Sequence, residues 1–103
     1  MKDFYFNNEG DEKEFLKKNK WVIHSLIIDG VKKAYEEKLE SITVFRIINT
    51  VSNFVMTSEL KKDDWIDSLS KSMDYFVSIE EYEKCKEIKD LIKNIKDDID
   101  KTN

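Results

Sequence analysis

The chain has no proline, two glycines, one cysteine, one histidine and one arginine among its 103 residues. Each shortage excludes something. So few turn-formers argue against a many-stranded sandwich or barrel, which needs a turn signal every ~8–12 residues. One cysteine cannot form an intrachain disulfide. One histidine cannot supply the paired Glu-x-x-His of a di-iron bundle, and with one cysteine it leaves a zinc site short of ligands. Neither glycine lies in a phosphate-cradling loop. No apolar run approaches the ~18 residues of a membrane span and no signal peptide opens the chain, so a cytoplasmic setting without membrane contact is expected.

Charged residues make up 39% of the chain and alternate in sign, as they do on solvated helix faces. The net charge of −4 counts against a protein that grips duplex nucleic acid by neutralising phosphates. The length fits a single domain over 1–103. The Lys, Ile, Asn and Asp bias resembles that of an AT-rich coding genome, such as a low-GC bacterium or its phage.

The first ten residues, MKDFYFNNEG, read as an N-terminal arm. Phe4, Tyr5 and Phe6 either pack the arm on helices or anchor a partner, and the packed arm is preferred. The Asn7–Glu12 stretch has calcium-loop residues in the wrong register, with Tyr5 at the first ligand position and Leu16 at the last. Residues 11–60 read as an apolar helical core. From Asp11 to about Glu40, Phe15, Leu16, Val22, Ile23, Leu26, Ile27, Val31, Ala34 and Tyr35 recur at helical spacing, with weak points at Asn19 and Gly30. Trp21–Ile28 is alternatively a strand, but helix is preferred because the chain offers it a poor strand partner. Ser41–Met56 is the most apolar stretch. Val44, Ile47, Ile48, Val51, Phe54 and Val55 follow helical steps, so a helix is expected that is either central in the bundle or has a second apolar face covered by another subunit. The β-branched content keeps a strand open for Ile42–Ile48.

The last third, residues 63–99, reads as an antiparallel helical hairpin. Asp63 and Asp64 are N-cap candidates before the stripe Trp65, Ile66, Leu69, Met73, Phe76 and Val77. Ser78 with Glu81 has the spacing of a capping box, and Val77 with Tyr82 that of a hydrophobic staple. Cys85, Ile88, Ile92, Ile95 and Ile99 then form one seam, of the coiled-coil kind. A connection this short sets the helices antiparallel.

On these residues, Leu69 to Ile95 resembles the UVR motif of the nucleotide-excision-repair proteins UvrB and UvrC, also found in Clp-type ATPase linkers and McsA-type regulators. Leu69, Lys71 and Met73 match its first helix. Tyr82, Glu83 and Lys84 match its aromatic-Glu-Lys element, and Ile88, Lys89, Asp90, Ile92 and Lys93 match its end. The chain departs from the pattern where Lys86 replaces a small residue and Lys89 replaces an arginine. In that family the motif is a protein-protein contact element that often self-associates and carries no chemistry. The resemblance implies the same here, with Tyr82, Ile88 and Ile92 in the hairpin core and Glu83, Lys84, Lys89, Asp90 and Lys93 giving selectivity by charge.

Other single residues carry little chemistry. His24 reads as a histidine on the rim of an apolar face, and Cys85 as a buried thiol on the seam. Arg46 either snorkels to solvent or pairs with a carboxylate, or else meets an anion. Lys17, Lys18, Lys20, Lys32 and Lys33, with Arg46, form the set that touches nucleic acid under the alternative reading.

The sequence therefore predicts an all-α fold, a small bundle of three to four helices ending in the hairpin. It predicts a non-enzymatic regulatory or adaptor protein, acting through protein-protein contact and self-associating as a homodimer or larger homo-oligomer. No catalytic residues, no metal and no cofactors are expected. The alternative is a small nucleic-acid-associated regulator, phage-encoded.

Overall fold

A computed structural model of the chain describes residues 2–102. The aromatic start is a strand, β1 (Lys2–Phe6). Two helices follow, α1 (Asp11–Lys18) and α2 (Lys20–Glu36). They break at Asn19, whose backbone N–H and side-chain Nδ2 both donate to the Phe15 carbonyl at 2.9 Å. Its own carbonyl accepts from Ile23 at 3.1 Å, so one residue closes α1 and opens α2. Strands β2 (Ser41–Asn49) and β3 (Phe54–Lys61) come next. A single 3-10 turn over Lys62–Asp64 leads into α3 (Trp65–Ser78), and α4 (Tyr82–Thr102) ends the described chain.

The fold is α+β, not all-α. The stretch Ser41–Met56, expected as one apolar helix, is β2, a turn and the start of β3. The alternative strand over Ile42–Ile48 is the one that forms. β2 is the central strand of a three-stranded sheet in the order β1-β2-β3. β1 runs parallel to β2, with Phe4 opposite Ile47, and α1 and α2 supply the crossover that parallel pairing requires. β3 returns antiparallel, with Ile47 opposite Met56.

A register shift between Thr43 and Phe45 breaks the alternation of β2. It inserts Val44 as an extra residue, so Val44 and Phe45 both point inward. Ile42, Val44, Phe45, Ile47 and Asn49 all turn to the helices, whereas Ile48 and Val55 of the expected helical stripe lie on the other face and Val51 in the turn. Inward residues of all three strands, including Phe4, Phe6 and Met56, pack with Leu16, Ile23 and Leu26. Phe4 and Phe6 lie 4.6 and 5.4 Å from the Phe15 ring. The stretch expected as an arm is thus a sheet strand, with Phe4 and Phe6 packed on α1 and Tyr5 turned outward.

α2 is the hub. One side faces the sheet, and Gly30 lets it come close: a Cβ there would lie 3.2 Å from Val44 Cγ2. The other side sends Ile28, Val31 and Ala34 into a second core with Trp65, Leu69, Phe76, Ile88, Leu91 and Ile95. The molecule is therefore layered as sheet, α2 and the α3–α4 hairpin. α2 ends in a Schellman motif, with Leu39 N–H bonded to Ala34 O at 2.8 Å and Lys38 in the left-handed region at φ 57°. No helix among the described residues is long and apolar enough to cross a membrane.

Asn49 ties the sheet together at one end. It is fully buried, and its side chain makes four hydrogen bonds. Nδ2 donates to Asn8 O at 2.8 Å and to Glu12 Oε2 at 2.7 Å. Oδ1 accepts from the amides of Val51 at 3.0 Å and Ser52 at 3.3 Å, which shapes the β2–β3 turn. In that turn Asn53 takes φ 56°, a conformation asparagine tolerates.

Candidate functional site

The α3–α4 hairpin forms where the sequence places it, but its turn is built differently. Glu80 adopts φ 60°, its amide bonds Val77 O at 3.0 Å, and the Glu81 amide bonds Phe76 O at 2.9 Å. This is a second Schellman motif, and it stops α3 at Ser78. The capping box does not form. Ser78 Oγ donates back to Tyr75 O, and Glu81, whose carbonyl accepts from Cys85 N–H at 3.2 Å, begins α4 instead. Three residues, Ile79 to Glu81, connect the helices.

This stop leaves apolar side chains in water. Tyr82 is 64% exposed, Val77 51% and Ile79 43%. The expected staple between Val77 and Tyr82 therefore buries neither residue. Trp21, from the first turn of α2, meets the buried Phe76 ring edge-on at 6.4 Å and keeps 43% of its own surface exposed. Lys84 Nζ sits 5.4 Å above the Trp21 ring, a cation–π contact.

Behind this tip, aromatic contacts hold α2 to α3. His24 stacks on Tyr75 at 4.6 Å and 17°, and Tyr75 meets Phe76 edge-on at 5.2 Å. His24 Nδ1 lies 2.8 Å from Ser72 Oγ. Burial, with some repulsion from Lys20, pushes the His24 pKa below its ordinary value. The pair has the spacing of a base and a nucleophile, but Ser72 has no exposed surface, so no substrate reaches its hydroxyl. The turn is thus mounted on a rigid base.

The residues expected to bind a partner spread around α4. Tyr82, Glu83, Lys89, Asp90 and Lys93 are exposed, while Lys84 and Ile92 are half-buried. Ile88 is 0% exposed and belongs to the core. Tyr82 stands outside the hairpin core rather than in it. Trp21, Val77 and Ile79 join Tyr82 around the tip and were missed. The signal for Ile79 lay in an apolar residue next to Ser78 that the capping-box register had absorbed into a helix.

The nucleic-acid set does not come together on one surface. Lys17 and Lys18 end α1, Lys20 starts α2, and Lys32 and Lys33 lie farther along α2. Lys18 pairs with Glu14 at 3.1 Å. Arg46 stands on the opposite face of the sheet, where its Nη2 donates to Asp3 Oδ2 at 2.8 Å and its Nε to Oδ1 at 3.2 Å. That hydrogen-bonded guanidinium holds Asp3 below its usual carboxylate range.

Away from the tip, a cleft of about 420 Å³ opens between the end of α2 and the end of α4, over Ala34, Trp65 and Ile95. The polar groups of its aromatic side chains are already partnered. Tyr35 OH donates to Asp98 Oδ2, and Trp65 Nε1 lies 3.4 Å from Leu60 O. Among the described residues no group of three or more His, Cys, Asp or Glu side chains is placed to hold a metal ion. Compared with known proteins, the chain matches no family model, no curated protein and no solved structure.

Proposed function

We propose that this chain is a small non-enzymatic regulatory or adaptor protein that docks a protein partner through the tip of the α3–α4 hairpin and also associates with itself. The observation that carries this reading is the exposed apolar group of Val77, Ile79 and Tyr82 on a hydrogen-bonded turn, with Trp21 beside it. Aromatic and aliphatic anchors on a hydrogen-bonded turn, with the charged Glu80, Glu83 and Lys84 close by in sequence and Lys84 over the Trp21 ring, have the composition of an interface centre and its rim. The resemblance of Leu69–Ile95 to a UVR-type contact element points the same way. The nucleic-acid alternative is less favoured, because Arg46 lies on the far face of the sheet from the helices that carry Lys17, Lys18, Lys20, Lys32 and Lys33.

The test is a tagged pull-down from lysate of the source cell, with and without nuclease. It compares the wild type with a chain carrying Ile79→Asp and Tyr82→Asp. Both positions are exposed, so the variant keeps its circular dichroism. The expected result is a protein partner that survives nuclease and is lost in the variant. A partner retained by the variant, or lost on nuclease treatment, overturns the proposal. Ile88→Asp is unsuited to this test, because Ile88 lies in the core.

A further inference from the structure

All the packing between helices and sheet involves one face of the sheet. On the other face, among the described residues, stand Asp3 and Tyr5 of β1, Thr43, Arg46 and Ile48 of β2, and Val55, Thr57 and Glu59 of β3. The register sets Tyr5, Ile48 and Val55 in one apolar row across the three strands, with Asp3, Arg46 and Thr57 as the next row. Tyr5 is 66% and Val55 58% exposed. A sheet normally buries one face and presents polar side chains on the other. This sheet presents an apolar row on the uncovered side.

We infer that this uncovered sheet face is the surface through which two copies of the chain form a symmetric dimer. Size is the first argument. A compact monomer of 12.3 kDa has an accessible surface of about 6,100 Å², whereas this chain has 7086 Å². Its radius of gyration is 15.1 Å, against about 13 Å for a compact domain of this length. The excess belongs to a flat molecule of 49 × 31 × 16 Å, whose sheet leaves one broad side open.

Charge is the second argument, and it selects a second copy over a foreign partner. Asp3 and Arg46 sit side by side on adjacent strands, and so do Tyr5 and Ile48. A two-fold axis running along the strands between β1 and β2 exchanges the members of each pair. Arg46 then faces the partner's Asp3, and Tyr5 faces the partner's Ile48. The surface is self-complementary in both charge and apolar contact, as a two-fold interface must be. The inference rests on the self-association in the proposed function and assigns it a surface.

The experiment is analytical ultracentrifugation of the full chain over a range of concentrations. The wild type is compared with Tyr5→Lys, Arg46→Asp, and the exchange that combines Asp3→Arg with Arg46→Asp. Circular dichroism monitors folding. The wild type should sediment as a dimer, and Tyr5→Lys should weaken it by roughly 30-fold or more. Arg46→Asp should also weaken it, and the exchange should restore it, because the pair is complementary again within and between chains. A dimer indifferent to Tyr5→Lys places self-association elsewhere and overturns this surface alone. A wild type that stays monomeric overturns the surface and the self-association together, while leaving the hairpin tip untouched.

Discussion

Asn49 offers a quantitative test of how the sheet is tied to the helices. Its side chain joins the β1–α1 loop, the first turn of α1 and the β2–β3 turn through four hydrogen bonds. Asn49→Ala removes all four. The three neutral bonds contribute about 1 kcal/mol each and the bond to the Glu12 carboxylate somewhat more, but water restores part of this at the exposed Asn8, Val51 and Ser52 and the half-buried Glu12, so the loss is about 2–3 kcal/mol. For a domain this small, that lowers Tm by roughly 10–20 °C. Asn49→Asp is more informative. It keeps the two acceptor bonds, loses the two donors and sets a second carboxylate against Glu12. Glu12 is held below the ordinary carboxylate range by its own backbone amide and then by Asn49. The Asp variant should therefore be less stable than the wild type at neutral pH. The gap should narrow as pH falls through the carboxylate range, where a protonated Asp again donates to Glu12. Adding Glu12→Gln should narrow it at neutral pH. Urea denaturation at pH 7 and pH 4 reads all three chains. An Asn49→Ala variant within about 0.5 kcal/mol of the wild type would refute the reasoning, because surface changes fall in that range.

Three further outcomes follow from the packing. Lys38 holds a left-handed conformation that costs a side-chain-bearing residue about 1 kcal/mol, so Lys38→Gly should raise the unfolding free energy by up to that amount, read as a higher urea midpoint, without altering the fold. Ile88→Asp buries an unpaired carboxylate in a fully enclosed position and should cost more than about 4 kcal/mol, seen as loss of the cooperative thermal transition. His24 has a folded-state pKa below its ordinary 6.5, so the unfolded chain binds the proton more readily. Stability from this residue is full above pH 6.5 and lost as pH falls from there toward the folded value. Denaturation between pH 7.5 and pH 5.5 should show this slope, and His24→Gln should flatten it; an unchanged slope would place the titration elsewhere.

The helices were legible because their apolar spacing is regular and long. The stripe through Ile27, Val31 and Ala34 in α2 and the seam through Ile88, Ile92 and Ile95 in α4 form where periodicity places them, although the fully buried Ile28 lay outside the stripe. The break at Asn19 was also visible. The sheet was hidden by one inserted residue. Val44 doubles the inward positions of β2 and breaks its alternation, while outward Ile48 and Val55 and the turn residue Val51 complete an apparent helical stripe. Its strand partners were disguised as well. β1 read as an aromatic arm packed on helices, and the turn before β3 uses Asn53 rather than glycine. At the hairpin, Ser78 and Glu81 carry the residues of a capping box, yet Glu80 takes the left-handed conformation without a glycine to announce it. That one torsion decides that Ile79 is exposed. The Asp3–Arg46 pair depends on the β1–β2 register and has no signal in sequence spacing.

The most direct measurement is site-specific photo-crosslinking in living source cells. A photoreactive phenylalanine derivative replaces Tyr82 at the hairpin tip, Tyr5 on the open sheet face, or exposed Lys96 as a control. The predicted result is a covalent adduct to a different protein from position 82, an adduct of twice the chain's own mass from position 5, and neither from position 96. Adducts to nucleic acid, or none from position 82, would contradict the hairpin tip as the docking site of a contact protein.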